Sequence, residues 1–125
     1  MEPTRTPDAI AAALQAAFAT KDLDRLADVL ADDARWGDDA NPNRCRSRAD
    51  VVSTFRRLLG EGVTGEVTEC HVGEGGVAVH LHVEWPEPAT GRAADLWQSY
   101  LVREGEVVEI EPHDGRRTAL RAISS

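Results

Sequence analysis

The stretch "GEVTECHVGEGGVAVHLHVEW", residues 65–85, decides how this chain folds. Apolar residues before it recur at helical spacing, whereas here they alternate with polar ones, the mark of strands. The glycine-rich "GEGG" divides the stretch into a hairpin. A turn at that point sets Val72 opposite Val77, Cys70 opposite Val79 and Thr68 opposite Leu81, on a face that continues through Val83 to Trp85. The other face carries Val67, Glu69, His71, Ala78, His80, His82 and Glu84. The pleat keeps these sets apart, so the Val/Leu/Trp face is expected to meet the helices.

Toward the C-terminus, "ADLWQSYLVRE" and "EVVEIEPHD" read as two more strands, reached through "PEPATGR" and a tight turn at Glu104-Gly105. The third strand alternates Leu96, Gln98, Tyr100 and Val102 against Trp97, Ser99, Leu101 and Arg103. Neither set is clearly polar, so both faces read as covered. Such cover implies a homodimer through the outer sheet face, with Trp97 and Leu101 contributing. A last short helix is expected from about 116 to 123.

Toward the N-terminus, Thr6-Pro7-Asp8 is a helix start, with Ile10, Leu14, Ala17 and Phe18 on its buried face. Asp22 caps a second, shorter helix whose stripe is Leu23, Leu26, Ala27 and Leu30. Ala34 to Gly37 reads as a short strand and "DDANPNRC" as a polar loop. Ser47 to Asp50 forms a capping box ahead of a third helix carrying Val51, Val52, Phe55, Leu58 and Leu59, ended by Gly60 or Gly62. Helices followed by a meander of strands give an α+β fold, with helices on one face of an antiparallel sheet.

The 125 residues read as one domain, residues 1–125, without repeats. A formal charge of −8 argues against nucleic acid and against an anionic membrane surface. No apolar run approaches the roughly eighteen residues of a membrane span. "MEPTRTPDAI" lacks a signal-peptide layout, so a cytoplasmic location is expected. Cys45 and Cys70 have no metal spacing and read as buried or half-buried thiols. His80 and His82 with Glu69, His71 and Glu84 suggest zinc at first sight, but a strand face of mixed acids is more simply a solvated or contact surface. No metal and no cofactor are expected.

The order of elements, the run "ADDARWGD" at 31–38 and the pattern "YLVREGEVVEIEPHD" at 100–114 together resemble the nuclear transport factor 2-like superfamily. That superfamily includes the SnoaL-like polyketide cyclases and the ketosteroid isomerases. The resemblance implies a cystatin-like cone: three N-terminal helices on a curved sheet, an apolar pocket and a homodimer. Asp38 falls where the isomerases resemble this chain at their general base. Their two oxyanion donors correspond to Leu14, which cannot donate, and Gln98, a weaker donor than a protonated acid. The cyclase branch implies a base near Asp114.

The expected cavity is lined by Leu14, Phe18, Trp36, Phe55, Val79, Leu81, Val83, Trp85, Leu96, Tyr100 and Val102, with Asp38, Gln98 and Asp114 as its polar groups. A carboxylate held there loses solvation, and its pKa rises toward a useful base. Tyr100 or Gln98 would donate to a developing enolate oxygen. Arg46, with Arg44 and Arg48 at the start of the third helix, would hold a ligand carboxylate or phosphate, or balance nearby acids. Asp38 and Asp114 stand equally as a turn acid and a helix cap. The expected partner is a hydrophobic small molecule. Three readings remain open: a cofactor-free acid-base enzyme, a non-catalytic binding domain, and a dimeric interaction module.

Overall fold

The computed structural model describes residues 6–37, 45–86 and 93–124. Its elements are α1 (Pro7–Thr20), α2 (Leu23–Val29), β1 (Leu30–Trp36), α3 (Arg48–Gly60), β2 (Thr64–Gly73), β3 (Gly76–Glu84), β4 (Ala93–Arg103), β5 (Glu106–His113) and α4 (Arg116–Ala122). Two helices precede the first strand, and the third expected helix follows it. The strands form one sheet in the order β1-β5-β4-β3-β2. The architecture is α+β.

Local chemistry sets the helix boundaries. The Thr6 side chain accepts from the Ala9 N–H, and Pro7 occupies the first turn of α1, where its missing N–H costs nothing. Lys21, in a left-handed conformation, ends α1. Asp22 then accepts from the N–H groups of Asp24 and Arg25 and opens α2. Ser47 caps α3 through the Asp50 N–H, while Asp50 reaches back to the N–H of Arg46. That is a capping box displaced by one residue.

The core lies between these helices and one sheet face. Ile10, Leu14, Leu26, Val29 and Val51 pack against Val77, Val79, Leu81, Tyr100 and Ile110. Each fully buried side chain of this kind contributes about 1.5–3 kcal/mol.

Four expectations need correction. Leu30 does not close α2; it begins β1 and is fully buried. The sheet is mixed, because β1 runs parallel to β5. The hairpin register holds from Val72↔Val77 to Cys70↔Val79, but Leu81 pairs with Val67, not Thr68. Thr68 is the extra residue of a β-bulge, which turns Val67 onto the core side. The Thr68 hydroxyl meets the carbonyl and ring of His80 across the bulge.

The fourth correction concerns the outer face. α4 packs there: Ala78 on β3 is fully buried with Ala119 and Ile123, and Trp97 and Leu120 pack against them. The cover that implied a second subunit over Trp97 is supplied by the chain itself. The hairpin tip fits α4 closely, since a Cβ on Gly73 would stand 2.2 Å from the Ile123 carbonyl oxygen. Gly75 donates to that same oxygen at 2.8 Å. No described helix is long and apolar enough to cross a membrane.

Candidate functional site

Between α1, α2 and α3 and the inner face of β3 and β4 lies a pocket of about 150 Å³. Its side walls are aromatic. Trp36 stacks on Phe55 with centroids 4.8 Å apart, and Phe18 meets Phe55 edge-on at 5.8 Å. Leu81, Val83, Leu96 and Trp85 form the sheet side. Phe55, Leu58 and Leu59 are apolar yet only half-buried, because they face this space and not a neighbouring element.

Few polar groups reach the walls among the described residues. Lys21 and Thr64 are exposed at the rim. The Asp22 carboxylate is committed to the start of α2 and to Arg25, 3.4 Å away. Gln98 differs, being only 6% exposed. Its Oε1 accepts from the Tyr100 hydroxyl at 2.8 Å, and its amide nitrogen donates to no described residue.

Eight of the residues expected at the cavity line this pocket: Phe18, Trp36, Phe55, Leu81, Val83, Trp85, Leu96 and Gln98. Leu14 does not; it is fully buried in the core behind the pocket. Tyr100 is not a direct donor either. It is fully buried, its hydroxyl is spent on Gln98, and burial pushes its phenol well above the ordinary range. Asp114 lies past the end of β5 and is exposed, so strand alternation no longer governs it. It does not cap α4, whose N-cap is Gly115 without a side-chain bond. Arg46 is exposed, offering its backbone N–H to Asp50, and is not among the lining residues. Arg48 is held by Asp32. Asp38 and Arg44 lie outside the described residues.

Cys45 and Cys70 are free thiols, and burial raises the Cys70 pKa. Cys45 is buried, 3.2 Å from the Thr54 hydroxyl, and its backbone pairs with Trp36 in both directions.

The outer face has a different chemistry. All four histidines stand on it, since His71 pairs with Ala78, and His80 and His113 both pair with Trp97. His82 bridges Asp95 at 3.1 Å and Glu84 at 3.2 Å, and these hydrogen bonds, Asp95 first, raise its pKa. His113 meets the Ser99 hydroxyl at 2.8 Å; desolvation lowers its pKa, against the opposing charge of Asp114. Among the described residues no three ligand side chains converge on a point that would hold a metal ion.

Comparison with known proteins agrees with this architecture. The model of the SnoaL-like domain matches residues 10–122. A proposed polyketide cyclase from Sinorhizobium meliloti superposes with a TM-score of 0.67 at 20% identity, over 83% of this chain and 93% of that one. A proposed ketosteroid isomerase from Kribbella flavida gives 0.70 at 16% identity, over 88% and 79%. A cystatin-fold protein from Novosphingobium aromaticivorans gives 0.69 at 18% identity, over 86% and 97%. At such identities the likeness is one of fold. Among curated proteins none matches the sequence.

Proposed function

The chain belongs to the SnoaL-like domain family, and from that premise we propose that it binds a hydrophobic carbonyl compound and acts on it by cofactor-free proton transfer. The reaction would be an isomerisation, a ring closure or a dehydration. One observation carries this reading: an apolar, aromatic-walled pocket whose only deeply buried polar lining among the described residues is Gln98. Pockets of that kind are the usual form of small-molecule sites. A volume of about 150 Å³ is below the roughly 300–1,000 Å³ of drug-sized sites. It suits a compound of one or two rings better than a larger polycycle.

The base in this reading is Asp38, two residues beyond the strand that brings Trp36 to the pocket wall. The test is hydrogen–deuterium exchange at the α-carbon of aryl ketones in D₂O, followed by NMR. The wild-type protein is expected to accelerate exchange, and Asp38→Asn to lose ~10²–10⁴-fold. Exchange no faster than in buffer across the panel would remove the catalytic half of the proposal.

A second reading has its own support. Among the described lining residues the sole carboxylate, Asp22, is occupied by capping. A pocket without a free base binds and does not react. The reading also includes a cytoplasmic homodimer, joined through the outer face around His80, His82 and Asp95, which α4 leaves open. Light scattering on the purified chain tests it, and a monomer at high protein concentration would remove it.

A further inference from the structure

Gln98 and Tyr100 sit two residues apart on β4, and so on the same face. Tyr100 is fully enclosed, and a phenol buried there needs an acceptor for its O–H. The Gln98 Oε1, 2.8 Å away, is that acceptor. Were the amide turned over, the phenolic proton would face the amide hydrogens and be left without a partner. The bond therefore fixes the amide with its nitrogen on the other side. That nitrogen donates to no described residue, although Gln98 is only 6% exposed and lines the pocket. Among the described residues nothing accepts from it, and a buried N–H pair costs stability until something supplies an acceptor.

We propose that Tyr100 locks the Gln98 amide as a hydrogen-bond donor, so that the pocket selects ligands presenting an acceptor oxygen and disfavours those presenting a hydroxyl there. This rests on the small-molecule reading above and narrows it: the site holds the keto form of an aryl ketone, not its enol. The phenol also polarises the amide, because hydrogen bonds in series strengthen one another. The donor is thereby better matched to an oxygen that gains negative charge. Tyr100 is a positioning residue in this account. It touches no ligand and acts through Gln98.

The test uses three one-ring probes, acetophenone, α-methylstyrene and phenol, titrated by ¹H–¹⁵N NMR with the Gln98 side-chain amide signal as reporter. Acetophenone and α-methylstyrene share a shape and differ in C=O against C=CH₂. In wild-type protein acetophenone is expected to shift the Gln98 amide signal strongly, and α-methylstyrene is not. Gln98→Leu is expected to weaken acetophenone about tenfold while leaving α-methylstyrene no weaker, the usual effect of removing a buried hydrogen-bond partner. Tyr100→Phe keeps the ring and frees the amide to turn. It is expected to weaken acetophenone and strengthen phenol, which a merely structural defect would not do, since that would weaken both. Equal weakening of acetophenone and α-methylstyrene by Gln98→Leu would overturn the selectivity while leaving the pocket reading intact. Failure of both probes to bind wild-type protein would overturn the pocket reading as well.

Discussion

The two faces of one sheet have opposite characters, although alternate residues of the same strands build both. On β3, Val77, Val79, Leu81 and Val83 face the helices, while Ala78, His80 and His82 face away. On β4, Gln98 and Tyr100 face in, while Trp97 and Ser99 face out. The inner face spends its polarity on one hydrogen-bonded pair and leaves a space beside it. The outer face carries four histidines, acids to partner them, and a helix laid over part of it. A polar group is costlier on the inner face, where Gln98 and Tyr100 are enclosed, than beside the exposed Glu84 and Asp95 of the outer one. Where the inner face keeps a polar group, a ligand-binding reason is therefore the stronger inference.

Substitutions sharpen this contrast. Leu14→Ala on the inner side should cost about 2–5 kcal/mol in urea unfolding, as buried leucines do. Probe binding should survive, since Leu14 lies in the core and not on the pocket wall. Loss of binding by a still-folded Leu14→Ala protein would return it to the site. On the outer side, Ile123 is 3% exposed beneath the hairpin tip. Ile123→Ala should cost about 2 kcal/mol. A change near zero would mean that α4 does not hold this part of the outer face, and the case for a subunit over Trp97 would revive.

The histidines offer the gentlest probe. His82 has a raised pKa from Asp95 and Glu84, so its contribution is present below the unfolded value of about 6.5 and fades as pH rises through the folded one. His113 has a lowered pKa from desolvation. The unfolded chain then binds the proton more readily, so burial of neutral His113 costs stability as pH falls below about 6.5. Imidazole NMR titration should place His82 above His113. The reverse order would contradict the bridging of His82 and the burial of His113 together.

Much of this fold is legible in the residues. Thr6, Asp22 and Ser47 announce their helices by side-chain chemistry alone, and "GEGG" places the hairpin turn. Trp36, Phe55, Leu81 and Trp85 declare the pocket because three periodic elements aim apolar residues at one place. What escapes is depth and count. Alternation puts Gln98 and Tyr100 on one face but does not say which reaches the open space; the enclosure of Tyr100 in the core decides that. The Thr68 bulge adds one residue to β2, and its neighbours Glu66, Val67, Glu69 and Cys70 include no Gly or Pro to flag it. Leu30 fits a helical stripe and a strand equally, and only its pairing with Val107 separates them. The "RRTALRAI" stretch reads as a helix, yet nothing local tells which side of the sheet it will cover. Asp114 follows the end of β5, and alternation loses its authority at the strand's last residue.

The central claim is that the inner face, not the histidine face, is where a small molecule binds. Methyl and aromatic NMR shifts mapped during an acetophenone titration test it most directly. The account predicts changes at Leu26, Leu81, Val83, Leu96 and the Trp36 ring, with the His71, His80 and His82 imidazoles unmoved. Changes gathered on those imidazoles with the inner methyls still would contradict it.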